Sequence, residues 1–156
     1  MFAVDIPGRG RLEIAHLVLD LNGTLAVDGA VAQAVIERLQ TLSRIVQVHV
    51  VTADTFGTAA KLGGLGIHVQ VLTPGDQVED KAALVRALGA AHTMAVGNGA
   101  NDEGMVREAA LGVAMVGQEG ALARTILAAG VVVGRIEDAL DLLLIPKRLI
   151  ATLRTR

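Results

Sequence analysis

Hydrophobic and polar positions alternate along this chain in two repeating patterns. Short runs of valine, leucine and isoleucine, typical of buried strands, are separated by segments with apolar residues at helical spacing. The pattern predicts strands at 16–21, 45–52, 67–72, 93–96, 112–116 and 131–133, and helices at 30–43, 55–62, 78–88, 102–109, 120–129 and 136–144. This alternation predicts an α/β fold: a three-layer, Rossmann-like, mostly parallel sheet with helices on both faces.

The two ends of the chain differ from this alternation. Two short apolar segments flank Pro7-Gly8-Arg9-Gly10, which predicts a β-hairpin before the α/β body. Pro146 ends the last helical pattern, and a basic helix or tail is expected after it. No linker or internal repeat divides the 156 residues, so we expect one domain. Its predicted parts are the hairpin at 1–15, the core at 16–145 and the C-terminal segment at 146–156.

Composition narrows the functions that this fold can serve. Apolar residues make up 52% of the chain, enough for a sizeable core, but the aromatic residues are only two phenylalanines. A net charge of −2 and the lack of aromatic stacking platforms argue against nucleic-acid binding. The absence of cysteine excludes disulfides, thiolate zinc sites and a cysteine nucleophile. The four histidines form no pair at ligand spacing, so we predict structural roles for them.

The lengths of the apolar runs indicate whether the chain could span a membrane or carry a signal peptide. The longest runs, such as 139–145, are interrupted by charged residues well before the roughly 18 residues that a membrane span needs. Residues 1–10 lack the apolar core of a signal peptide. We therefore expect no membrane partner and a cytoplasmic location.

Polar residues follow three of the predicted parallel strands. They are Asp20 and Asn22, Thr52 and Asp54, and Asn98, Asn101 and Asp102; Lys81 lies near the start of the helix that precedes the last group. Open α/β sheets bind ligands outside the carboxyl ends of their strands. Carboxylates, amides, a hydroxyl and a lysine at one edge favour a phosphoryl group held together with a divalent cation.

These residues resemble the four motifs of the haloacid dehalogenase (HAD) superfamily of phosphohydrolases. The segment 20–25 (DLNGTL) is similar to the first motif, 52–54 (TAD) to the second, Lys81 to the third and 97–105 (GNGANDEGM) to the fourth. The resemblance covers residues 16–145 and implies a HAD-like fold without a cap domain. Within the superfamily, the first two motifs and their flanks (19–26 and 51–57) resemble soluble proteins related to the phosphorylation domain of P-type cation ATPases.

The resemblance implies a role for each matching residue. Asp20 is implied as the nucleophile that forms an aspartyl-phosphate, with Asn22, Thr52 and Lys81 as the other catalytic positions. The implied phosphate-binding residues are Asp20, Gly23, Thr52, Ala53, Lys81 and Asn101. The implied Mg²⁺ site consists of Asp20, the backbone carbonyl of Asn22, Asn98 and, farther from the ion, Asp102. A small phosphorylated substrate or ATP is implied, and a neighbouring subunit of a homo-oligomer is a candidate to cover the open site.

Two positions depart from the family pattern. Asn22 and Asn98 stand where the phosphatases of the family usually have aspartates. An amide performs no proton transfer, so Asn22 predicts slow turnover, and Asn98 predicts weaker Mg²⁺ binding. Two other functions stay open: a non-catalytic HAD-fold module that binds a phosphorylated ligand or a protein partner and, less favoured, a phospho-acceptor receiver domain.

Overall fold

The fold consists of a parallel sheet preceded by a hairpin. The computed structural model of the chain describes residues 1–53 and 57–156. Within these ranges the hairpin strands are β1 (Phe2–Ile6) and β2 (Gly10–Ile14). The strands of the sheet are β3 (His16–Asp20), β4 (Gln47–Thr52), β5 (His68–Val71), β6 (Thr93–Gly97), β7 (Leu111–Met115) and β8 (Val131–Val133). All neighbouring strands of the sheet are parallel, in the order β5-β4-β3-β6-β7-β8.

Helices cover both faces of the sheet. They are α1 (Gln33–Leu42), α2 (Thr58–Gly63), α3 (Gln77–Leu88), α4 (Glu103–Glu108), α5 (Ala123–Ala128), α6 (Ile136–Leu144) and α7 (Pro146–Leu153), with short 3₁₀ turns at Ala90–His92 and Ala100–Asp102. Successive side chains of a strand point to opposite faces. Accordingly, Leu17 and Leu19 of β3 belong to the apolar cluster that contains Leu39 of α1, whereas Val18 belongs to the cluster that contains Val85 of α3. The predicted fold class is confirmed.

The hairpin and the last helix pack together. Phe2 and Val4 are buried in the same apolar cluster as Leu149 and Leu153 of α7. The α7 helix begins at Pro146, a residue that the first turn tolerates because its missing N–H would have no partner there. The segment after Pro146 is therefore a helix up to Leu153 and not a free tail.

The strand boundaries lie within two residues of the predictions, whereas α1 and α5 each begin three residues later than predicted. The predicted helix 55–62 begins outside the described residues, and its described part is α2. None of the helices within 1–53 and 57–156 is both long and apolar enough to cross a membrane.

Strand order places the predicted site residues at one edge. The register pairs Asp20 of β3 with Val51 of β4, and Leu19 of β3 with Val96 of β6. The ends of β4 and β6 therefore flank the end of β3 on its two sides. The chain leaves β3 to one side and returns to the other, and such a switch point is where α/β sheets bind ligands.

Candidate functional site

A buried lysine lies between two carboxylates at the carboxyl edge of the sheet. Lys81, in the second turn of α3, donates from Nζ to Asp20 Oδ1 at 2.7 Å and to Asp102 Oδ1 at 2.8 Å. The Lys81 side chain is 1% exposed and that of Asp102 is fully buried. Burying three charged groups costs desolvation free energy unless the groups pair with one another, so the pairing of Lys81 with both carboxylates is required for their burial.

The pKa values of this trio reflect burial and mutual charge. Burial, with repulsion from Asp102, raises the pKa of Asp20 to about 6, although Lys81 acts in the opposite direction. Burial alone would lower the pKa of Lys81, but the attraction of Asp102 and Asp20 outweighs it and raises that pKa. Lys81 therefore stays protonated at neutral pH and can neutralise charge on Asp20 and on an anionic ligand.

Asp102 organises the loop after β6. Its Oδ2 accepts from the backbone N–H of Asn98 at 2.9 Å and of Gly99 at 3.0 Å. A Cβ on Gly97 would overlap the Asp102 side chain, so glycine is required there for the carboxylate to come this close. Both oxygens of Asp102 thus accept hydrogen bonds within the site, and the residue positions Lys81 and the 98–99 backbone.

A second group of oxygens lies on the other side of Asp20. The loop after β3 turns tightly, and the Thr24 hydroxyl lies 3.5 Å from Asp20 Oδ2 and 3.3 Å from Asn98 Oδ1. The amide nitrogen of Asn98 donates to the carbonyl of Gly120 at 3.2 Å. Because that bond fixes which end of the amide is the oxygen, Asn98 presents Oδ1 towards the Asp20 side.

These oxygens fit a hard divalent cation. Asp20 Oδ2 and Asn98 Oδ1 flank the same hydroxyl. The backbone carbonyl of Asn22, in the loop directly after Asp20, is a third candidate donor. Mg²⁺ binds through one or two carboxylates plus neutral oxygens, water and phosphate. In the described part of the chain no group of three carboxylate, histidine or cysteine side chains could hold a metal ion. A cation at this site would therefore depend on neutral oxygens, such as those of Asn22 and Asn98, in addition to Asp20.

The remaining predicted residues lie at different distances from this centre. Thr52 is buried at the end of β4, the strand next to Asp20. Ala53 and Asn22 are exposed. Asn101 is half-buried and donates from its amide to Gln77 Oε1 at 3.1 Å, so its side chain contacts α3. Asp54 lies outside the described residues.

The turn after β7 also reaches the site. This turn, residues 117–120, closes with a hydrogen bond of 3.0 Å from Gly120 N to Gly117 O. A Cβ on Gly23 would overlap Glu119 Oε2 and lie 3.0 Å from Asn98 Nδ2, so the Glu119 carboxylate occupies the space beside Gly23 in the loop after β3. Thr24 was not among the predicted site residues, although it belongs to the first motif. Glu119 was not predicted either; it follows β7, and the rule that ligands bind at strand ends would have identified it there.

Two curated proteins are similar in sequence, and no family model matches the chain. Over 61 residues it is 52% identical to the uncharacterized protein MJ0073 of Methanocaldococcus jannaschii, covering 39% of this chain and 66% of that protein. Over 39 residues it is 44% identical to the uncharacterized protein MJ0072 of the same organism, covering 25% of this chain and 89% of that protein.

Solved structures similar to this chain share its architecture. The 3-deoxy-D-manno-octulosonate 8-phosphate phosphatase of Moraxella catarrhalis, in complex with magnesium, phosphate and KDO, has a TM-score of 0.70 at 19% identity, covering 90% of this chain and 94% of that one. A putative HAD superfamily (subfamily III A) hydrolase of Legionella pneumophila has a TM-score of 0.69 at 19% identity over 89% and 86%. The cobalt-bound YrbI phosphatase of Haemophilus influenzae has 0.71 at 14% over 92% and 94%. Identities this low establish the fold alone.

Proposed function

The chain has the fold of the haloacid dehalogenase superfamily and belongs to the family of MJ0072, and from this basis we propose that it is a Mg²⁺-dependent phosphohydrolase acting through an aspartyl-phosphate. The observation that carries the proposal is the contact of Lys81 with Asp20 and Asp102 at the carboxyl edge of β3. One oxygen of the buried Asp20 carboxylate accepts from Lys81, and the other faces the neutral Thr24 hydroxyl. A carboxylate held in this way is suited to attack a phosphoryl group.

The proposed first step forms a bond between an Asp20 oxygen and phosphorus while the bond to the leaving oxygen breaks. Lys81 neutralises charge on Asp20 and on the phosphoryl oxygens, and the Thr52 hydroxyl donates to the transferred group. Asp20, the Asn22 carbonyl and Asn98 would hold Mg²⁺, which when bound stabilises the negative charge of the phosphoryl group. Asp102 keeps Lys81 in place through the hydrogen bond of 2.8 Å.

Slow turnover is part of the proposal. General acid–base catalysis contributes roughly 10²–10⁴-fold to a rate, and the amide of Asn22 cannot supply it. The aspartyl-phosphate should therefore be long-lived, as the motif resemblance to P-type ATPases also suggests. The substrate we propose is a small phosphorylated compound or ATP, with a second copy of the chain covering the open site.

The test compares Asp20→Asn with a matched control. Wild-type protein with Mg²⁺ should hydrolyse an aryl phosphate slowly and gain one phosphoryl group by intact-mass analysis after acid quenching. Asp20→Asn should abolish both signals. Asp28→Asn is the same substitution at an exposed position eight residues later, and it should leave both signals unchanged. Equal rates in wild type and Asp20→Asn would exclude Asp20 as nucleophile.

A second candidate is a non-catalytic module that binds a phosphorylated ligand or a protein partner. The amides at Asn22 and Asn98 favour it, since both replace charged residues of the family. Thermal-shift titration with Mg²⁺ and beryllofluoride separates the two functions. Stabilisation by the two together, combined with an absence of turnover and of phosphoenzyme, would favour the binding module.

A further inference from the structure

Glu119 differs from the other glutamates in that its carboxylate has no hydrogen-bond or ion-pair partner among the residues that the structure describes. Within residues 1–53 and 57–156, each of the other six glutamates accepts a hydrogen bond from an arginine or glutamine side chain. The Glu119 carboxylate has no such bond and no ion pair there, and it lies over Gly23, next to Asn22 in the chain. The Glu119 carboxylate thus lies beside the position where the family carboxylate is replaced by an amide.

The turn that carries Glu119 is fixed against the proposed cation site. Asn98 donates from its side chain to the carbonyl of Gly120 at 3.2 Å and accepts at its own carbonyl from the Leu122 N–H at 2.8 Å. The chain is therefore bonded to Asn98 at Gly120, the last residue of the turn, and again two residues later at Leu122. The backbone of the turn is held in this way, while the Glu119 side chain stays exposed to solvent.

Space for a leaving group exists on the same side. A cavity of about 440 Å³ begins at Gly23 and Thr24, has Met115 and Ile136 in its apolar wall, and includes Glu119 in its lining. A phosphate ester bound at Asp20 with its organic part in this cavity would place the ester oxygen between the loop after β3 and the Glu119 carboxylate.

We propose that Glu119 is the general acid and base of the reaction in place of the carboxylate that Asn22 lacks; this inference rests on the proposed function. Because Glu119 acts from a solvent-exposed turn, it supplies less of the rate than a carboxylate at position 22 would, and turnover stays slow. In the first step Glu119 gives its proton to the leaving oxygen as the bond from that oxygen to phosphorus breaks and the Asp20 oxygen bonds to phosphorus. In the second step Glu119 takes a proton from water as the water oxygen attacks phosphorus, which releases the Asp20 carboxylate and inorganic phosphate.

The test measures how Glu119→Gln changes turnover with two leaving groups. An alkyl phosphate needs a proton on its leaving oxygen, whereas a nitrophenyl phosphate does not, so kcat/KM should fall about 10²-fold for the first and much less for the second. Glu119→Asp should retain part of the rate. Asn22→Asp added to Glu119→Gln should restore turnover of the alkyl phosphate. Glu37→Gln, the same substitution at an exposed position of α1, serves as the control and should match wild type.

The outcomes separate this inference from the proposed function. Loss of phosphoenzyme in Asp20→Asn, together with unchanged turnover of both esters in Glu119→Gln, would overturn the role of Glu119 and leave the function intact. Absence of turnover and phosphoenzyme in wild type would overturn the function itself. Calorimetric titration with Mg²⁺ should give the same affinity for wild type and Glu119→Gln; a loss of affinity with equal effects on both esters would make Glu119 a cation ligand and refute the acid–base role.

Discussion

Removing the charge of Lys81 should destabilise the fold by several kilocalories per mole. Lys81→Met keeps the length of the side chain but leaves Asp20 and Asp102 buried without their shared cation. At an effective dielectric constant of about 20, each contact of 2.7–2.8 Å is worth about 6 kcal/mol in Coulomb energy, most of it offset by the desolvation of the ions. Breaking a buried pair by removing one partner costs about 3–5 kcal/mol, and we expect a loss in this range.

A second substitution shows whether carboxylate repulsion causes the loss. Asp20→Asn in the Lys81→Met background removes one of the two facing charges, and Asp102 still accepts from the Asn98 and Gly99 N–H groups. The double variant should therefore recover about 2 kcal/mol, in the range of coupling energies between contacting residues.

Urea unfolding with EDTA at pH 8 is the assay, because this pH lies above the pKa of about 6 that Asp20 has in the wild-type protein. Lys61→Met, the same change at an exposed lysine of α2, should stay within about 0.5 kcal/mol of wild type. A loss below about 1 kcal/mol for Lys81→Met, or additive effects of Lys81→Met and Asp20→Asn, would refute the charge argument.

Two further predictions concern glycine and histidine. Gly23 and Gly29 have the same φ of +78°, so alanine at either position should lower the free energy of unfolding in urea by about 1 kcal/mol. Only Gly23→Ala displaces Glu119 and should therefore slow turnover. Equal rates for the two variants would contradict the contact between Glu119 and Gly23. Burial, then repulsion from His68 and His16, lowers the pKa of His49 from 6.5 to about 4, so the unfolded chain binds the proton more tightly. Unfolding free energy should fall by about 1–2 kcal/mol as pH drops from 6.5 to 4, after allowance for solvent screening, and His49→Gln should flatten that slope.

Local pattern was sufficient for most of the fold. Alternating strands and helices, together with Pro7-Gly8-Arg9-Gly10, predicted the parallel sheet and the hairpin because burial on two faces leaves a readable periodicity. Helix ends were less accurate: the segment predicted to start at Gly120 becomes helical at Ala123. The hydrogen bonds of this turn to Asn98 are long-range contacts that no local pattern encodes.

The contacts between histidines also could not be predicted from local sequence patterns. Spacing along the chain gave no pair, yet parallel pairing of β3, β4 and β5 places His16 Nδ1 3.2 Å from His49 Nε2 and stacks His49 on His68 with ring centroids 5.0 Å apart. Strand register, which depends on the whole sheet, decides this contact.

The fold class could be predicted from the sequence, and Asp20, Lys81, Asn98 and Asp102 could be selected as candidate site residues, because strand ends and motif spacing are local properties of the chain. Tertiary structure alone decided how those side chains share their hydrogen bonds and that Glu119 stands beside Gly23. Such contacts join loops from separate strands, and the position of each loop depends on the strand order of the sheet and on the bonds between the loops. The chemical type of each site residue is therefore given by the sequence, whereas the residue that it contacts depends on how the strands are arranged in the sheet.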